Sequence, residues 1–218
     1  MKKCFLNKLR APTSKEFNMH ISEGVLSAPI LVTGGVLTAA GTAIGLRKLD
    51  YDKIAQVAVL SSAFFVASLI HINIGPAGVH LVFNGIIGLM LGWAAFPTLL
   101  VALMLQAVFF QFGGITVLGV NTLNHAFPAL ICYYLFRNMV MGEGKKAVIA
   151  SFACGFLSVF LSGIMVALSL VFTEESFMET AVLIVTSHLP VMLIEGIVTA
   201  FCIGFIKKVH PEMLAKYH

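Results

Sequence analysis

PAGVHLVFNGIIGLMLGWAAFPTLLVALMLQAVFFQF, residues 76–112, decides the fold, because it runs its whole length without an Asp, Glu, Lys or Arg. A hydrocarbon core about 30 Å thick is crossed by a helix of about 20 apolar residues. The stretch therefore holds two spans, approximately 76–94 and 96–112, that nearly touch at GWAAFPTLL, so the hairpin between them must be tight. Further apolar runs lie at approximately 25–46, 54–72, 119–140, 146–172 and 180–206. Of the 218 residues 59% are hydrophobic and only 11% charged, where soluble domains carry about 25% charged residues. The expected fold class is all-α: a polytopic membrane protein with about seven transmembrane helices in one bundle and no room for a separate soluble domain. Glycines four apart, Gly41 with Gly45 and Gly88 with Gly92, let helix backbones approach closely.

The four cysteines, Cys4, Cys132, Cys154 and Cys202, show no CxxC spacing. Three lie in apolar runs, where cysteine behaves as a small hydrophobe. The formal net charge of +4 does not indicate nucleic acid as a partner, because the basic residues fall in short segments between spans.

Those segments set the orientation. Arg47, Lys48 and Lys53 lie between the first two spans, Arg137, Lys145 and Lys146 between the fifth and sixth, and Lys207, Lys208 and Lys216 after the last. The alternate loops, HINIGPAG, GGITVLG and TEESFMET, carry no Lys or Arg. By the positive-inside rule the C-terminus is cytoplasmic and the start of the first span faces outward. Residues 1–18, MKKCFLNKLRAPTSKEFN, contradict this with five basic residues on the outer side, and they lack the apolar core of a signal peptide. Starting the protein at Met19 removes the contradiction. Two expectations stand for 1–18, an upstream mis-start or a disordered extension, with 19–218 as one transmembrane metal-binding domain.

With Met19 first, MHI acquires a chemistry. A free α-amine, the amide nitrogen of His20 and its imidazole can close two fused chelate rings on one ion. Three nitrogens near one plane suit Ni(II) or Cu(II) and are tolerable for Co(II). A fourth nitrogen is on offer from HINIGPAGVHLVFNG, where His71 and His80 flank an outward Gly- and Pro-containing turn. Histidine near a membrane is costly unless paired or functional, so hydrogen bonding to backbone at a helix end is the competing reading for each. In QFGGITVLGVNTLNHAFPAL the glycines permit non-helical backbone that could line a cavity, and Asn121, Asn124 and His125 bring polar groups to span depth. Asn124 can hold a ligand imidazole in its tautomer or make an interhelical bond. In SHLPVMLIEG, His188 and Glu195 lie seven apart on one helix face, and Glu195 is the only carboxylate deep in a span. It can steer cation passage, anchor a partner, or hydrogen-bond another helix.

Several functions lack their motif. There is no GxxxxGK[ST] phosphate loop, no HExxH and no GxSxG, and one deep carboxylate is thin provision for a proton-coupled antiporter.

MHISEGVLSAP, HINIGPAGVHLVFNGIIGLMLGWAAFP and FQFGGITVLGVNTLNHAFPAL together resemble the substrate-specific membrane subunit of cobalt/nickel energy-coupling factor (ECF) transporters, the CbiM/NikM type. The likeness runs from Met19 to about residue 206. It implies a seven-helix bundle in a bacterial or archaeal cytoplasmic membrane, with the N-terminus folded inward from outside to bind Co(II) or Ni(II) as transported substrate. The implied ligands are the Met19 amine, the His20 amide and imidazole, and His80, with His71 nearby. Glu23, Asn121, Asn124 and Glu195 would act behind them or along the pathway. Where the family usually has MHIPDG this chain has MHISEG, so Ser22 and Glu23 keep polarity while the rigid proline is gone. The resemblance also implies partners: a transmembrane coupling (T) subunit, cytoplasmic ATPase subunits and a small accessory membrane subunit. The expected function is substrate capture for ATP-driven import, with no enzymatic step and no catalytic cofactor in this chain. The alternative is a stand-alone divalent-metal channel or secondary transporter, distinguished by whether the purified chain alone moves metal across liposomes. A third class, an intramembrane metalloenzyme, needs an open coordination position, which four filled nitrogen sites would deny. Cobalt and nickel are separated by genetic context, since neighbouring cobalamin-synthesis genes would indicate cobalt.

Overall fold

A computed structural model describes residues 17–18, 21–69, 71–74 and 77–215. The chain is helical, with one small sheet. Helix α1 (Ala28–Arg47) starts after an extended Ser27 with Pro29 in its first turn, where a missing N–H costs nothing, and ends on Arg47. A 3₁₀ turn at Tyr51–Lys53 leads into α2 (Ile54–Ala67). Strands β2 (His71–Ile74) and β3 (Ala77–His80) follow, with β1 (Phe17–Asn18) pairing parallel to β3. The remaining helices are α3 (Asn84–Leu91), α4 (Ala95–Phe110), α5 (Leu118–Met141), α6 (Gly144–Val171), α7 (Met178–Ser187), α8 (Leu189–Val209) and α9 (Glu212–Ala215).

Among the described residues, four helical runs are long and apolar enough to cross a membrane: Ala28–Arg47, Asn84–Phe110, Gly144–Val171 and Glu175–Val209. The second is not one rod. Gly92 sits at φ 52 with its space filled by Tyr133, and packing partners show that the chain reverses there. Gly34 meets Val120 while Gly45 meets Trp93, and Gly88 meets Ala129 while Gly92 meets Tyr133, so α1, α3 and α5 run in one direction. Gly41 meets Phe96, which sends α4 the other way. Ser61 donates to the Thr98 carbonyl at 3.1 Å and Gln106 to the Ser68 hydroxyl at 2.7 Å, so α2 runs with α4. Gly163 meets Val185, Gly155 meets Glu195 and Thr199, and Lys207 reaches the Val140 and Gly142 carbonyls just before α6, so α7–α8 run against α6. The tight hairpin expected at GWAAFPTLL is present, built on Gly92.

Three expected spans differ in detail: 54–72 is helical only to Ala67 and enters β2 at His71. The segment 76–94 is helical only from Asn84, because its first part is strand β3 and a left-handed Phe83 (φ 53) precedes the helix. The turn expected between His71 and His80 is thus a β-hairpin. The last span breaks at His188, where Pro190 lacks the N–H that would continue the ladder. Within the segment expected to be a mis-start or disordered, Phe17–Asn18 forms β1, with Phe17 opposite Ala77 and Asn18 opposite Gly78; residues 1–16 lie outside the described residues.

Candidate metal centre

The site assembles at the end of the bundle away from the basic loops. Ile21, the residue after the Met19–His20 pair, is buried and bonded twice to one side chain. Its N–H donates to Asn121 Oδ1 at 3.2 Å, and Asn121 Nδ2 donates to its carbonyl at 3.1 Å. The next turn is tied to the glycine-rich loop: the Glu23 N–H donates to the Gly113 carbonyl at 3.0 Å, and Glu23 Oε1 accepts from the Thr116 N–H at 3.1 Å. That backbone donor holds the Glu23 carboxyl below its usual range. Gly114, at φ 120, lies so close to the Glu23 side chain that a Cβ there would overlap it. Met19 and His20 themselves lie outside the described residues. The described residues on either side of them are both anchored, Asn18 to Gly78 and Ile21 to Asn121.

Across the hairpin, His71 is the register partner of His80. The side chain of His71 lies outside the described residues, whereas His80 is buried, with 1% exposure. Its Nδ1 lies 2.9 Å from the Leu81 carbonyl oxygen. A carbonyl only accepts, so Nδ1 carries the proton and Nε2 keeps the lone pair that a metal requires.

Behind His80 stand two more buried imidazoles. His125 is fully buried, within electrostatic reach of both His80 and His188, and edge-on to Phe64 with ring centroids 6.1 Å apart. His188 is also fully buried, and its Nδ1 lies 2.6 Å from the Ile184 carbonyl. The sequence marks both histidines by their placement in apolar helices; that His125 comes within reach of both His80 and His188 depends on packing among α5, α7 and β3. Glu195, fully buried on α8, accepts through Oε1 from the N–H groups of Val82 and Phe83, the latter at 3.0 Å. Of the readings open for it, the bond to another segment of the bundle is the one the geometry displays. Asn124 takes a 3.4 Å bond from the Ser169 hydroxyl through its Oδ1, a bond between helices. A support that sequence reasoning missed is Asn84, whose Nδ2 donates to Ser162 Oγ at 2.7 Å and whose Oδ1 accepts from Ser158 Oγ at 2.9 Å. Those bonds pin the start of α3, four residues after His80. Among the described residues no three His, Cys, Asp or Glu side chains are placed to hold one metal ion.

Among the described residues, four helical runs long and apolar enough to cross a bilayer, packed in one bundle, define a membrane protein. Residues 20–213 match the CbiM family, described as the cobalt uptake substrate-specific transmembrane region, and the chain belongs to that family. It is 41% identical over 199 residues to a Haemophilus influenzae protein named "Putative metal transport protein", spanning 90% of this chain and 97% of that one. It is 30% identical to the fused nickel transport protein NikMN of Rhodobacter capsulatus, over 90% of this chain and 64% of that longer one. A solved structure of a transition metal transporter superimposes with a TM-score of 0.78 at 23% identity, over 91% of this chain and 98% of that one, which shows the same fold. The chain is a membrane component of cobalt/nickel transport.

Proposed function

We propose that this chain is the substrate-capture subunit of an ECF-type importer, binding Co(II) or Ni(II) at the outer side and working with a transmembrane coupling protein and ATPase subunits. The observation that carries the proposal is His80: a buried imidazole whose proton is fixed on Nδ1 by the Leu81 carbonyl, so that Nε2 is the ligand atom. The alternating directions of α1, α2, α3, α4, α5, α6 and α7–α8 support seven crossings. The remaining ligands would be the Met19 amine with the His20 amide and imidazole, where Met19 begins the functional chain. The Asn121 clasp fixes Ile21, the residue that follows this pair, and the family match begins at His20. The description of the family as a substrate-specific region supports a reading in which other subunits supply the ATPase.

The test is equilibrium binding of Ni(II) and Co(II) to the purified chain in detergent. His80→Ala should abolish high-affinity binding while the circular dichroism stays helical. His71→Ala should weaken binding less. If His71→Ala is the more damaging change, the fourth ligand is assigned to the wrong strand of the hairpin. Binding by wild type that rises with pH through about 8 would report deprotonation of the α-amine.

A further inference from the structure

Glu195 reaches His80 through a single peptide plane. The Leu81 carbonyl that accepts the His80 Nδ1 proton and the Val82 N–H that donates to Glu195 Oε1 belong to the same peptide unit. A peptide unit is planar and stiff, so fixing its N–H fixes the direction of its C=O. The same carboxylate oxygen also takes the Phe83 N–H at 3.0 Å. Those two donors belong to the backbone entering α3, where the first N–H groups of a helix have no partner of their own. Holding them stabilises Phe83 at φ 53, a left-handed conformation uncommon for a bulky residue. The acceptor comes from α8, more than a hundred residues away in sequence.

We infer that Glu195 is a positioning residue for the metal site, orienting the His80 imidazole and its tautomer through the peptide that joins Leu81 to Val82. The arrangement is a carboxylate–peptide–histidine relay, the counterpart of the carboxylate that usually bonds a metal-ligating imidazole directly. It rests on the reading of His80 as a ligand. It also ties that ligand to α8, whose far end is fastened by Lys207 to the carbonyls of Val140, at 2.7 Å, and Gly142. A displacement of α8 relative to α3 would therefore withdraw the support of His80 and loosen the ion.

Three variants of the full chain test this, each read by Ni(II) affinity, the ligand-field absorption spectrum of the bound ion, and thermal unfolding without metal. Glu195→Ala should weaken binding about 10–100-fold and change the spectrum. Glu195→Gln keeps an oxygen acceptor at the same place, though a neutral one, and should keep the wild-type spectrum with a smaller loss of affinity. Thr199→Ala, one turn further along α8 where the side chain packs on Gly155, should lower the unfolding temperature and leave affinity and spectrum unchanged. Wild-type affinity and spectrum in Glu195→Ala overturn the inference, as does a Thr199→Ala variant that loses affinity equally. Should Glu195→Ala fail to fold, an altered ligand-field spectrum in Glu195→Gln, which keeps the acceptor, overturns it instead. A wild-type chain that binds neither Ni(II) nor Co(II) is a different result, and sinks the proposed function itself.

Discussion

Both ends of the Asn121 amide are bound to Ile21, one residue past the Met19–His20 pair. This is a backbone-like pairing made by a side chain: one donor and one acceptor, both buried, fix the register of the N-terminal segment against α5. A slip of one residue would break both bonds and move whatever precedes Ile21 along the chain by about 3.5 Å. Asn121→Leu preserves volume and removes both bonds. At about 1 kcal/mol each, their loss should weaken Ni(II) binding by roughly thirtyfold, read by competition with a chromophoric chelator. Affinity equal to wild type would mean that the burial of Ile21 and Leu26 and the Glu23 bonds to the glycine-rich loop hold the segment without Asn121. Asn121 is legible in the sequence as a polar residue at span depth, but its partner, a hundred residues upstream, is not. Likewise His71 and His80 are visible as a pair, while their opposition across a hairpin required the strands to be seen.

At the scale of elements, α3 is the unusual piece. It has eight residues, about 12 Å of helix, and every one of them is buried. So short a helix gains little from its own hydrogen bonds and depends on its neighbours: α5 along one side, α6 along another, and the Glu195 carboxylate at its start. Gly88 makes the α5 contact possible, because a Cβ there would overlap the Ala129 carbonyl, which is main chain and cannot swing aside. Gly88→Val should therefore cost about 1–3 kcal/mol, as over-packing does, and lower the unfolding temperature. Gly204→Ala on α8, where no atom lies within 4 Å of the added Cβ, should be neutral or stabilising. Equal effects would show that close approach at Gly88 does not limit the bundle. The sequence already pairs Gly88 with Gly92 as packing glycines, and only one of them packs in that sense, since Gly92 makes the turn. Among the described residues hydropathy marks four helical runs outright, Ala28–Arg47, Asn84–Phe110, Gly144–Val171 and Glu175–Val209. It misplaces the start of α3 because Ala77–Phe83 is as apolar as a helix and yet is a strand followed by a left-handed residue. Only partners from elsewhere in the chain distinguish the two.

The molecule as a whole is polarised along the bundle axis. Lys48 stacks on Trp93 at 5.3 Å and lines a cavity of about 490 Å³ with Lys53, Asp50 and Arg137, while Lys207 closes the same end against the α5–α6 turn. The opposite end holds the anchored N-terminal segment, the Gly113–Gly114 loop and Thr173, whose hydroxyl accepts from the Ser27 N–H at 3.3 Å. With the seven crossings proposed above, the two ends of the described bundle would lie on opposite sides, and the positive-inside rule would put the basic end in the cytoplasm. A reporter inserted at Glu174 should therefore read external, one inserted between Glu143 and Gly144 cytoplasmic, and one fused after the C-terminal residue cytoplasmic. Agreement of the last two with each other but not with the first requires an odd number of crossings on each side of Glu174, one by α6 and one by α7–α8, so the three readings together fix the parity of the last two passes. The inverted pattern would put Asn121, Glu23 and the hairpin on the cytoplasmic side. A site there would meet metal only after import, and capture from outside would have to be abandoned even if His80 binds the ion.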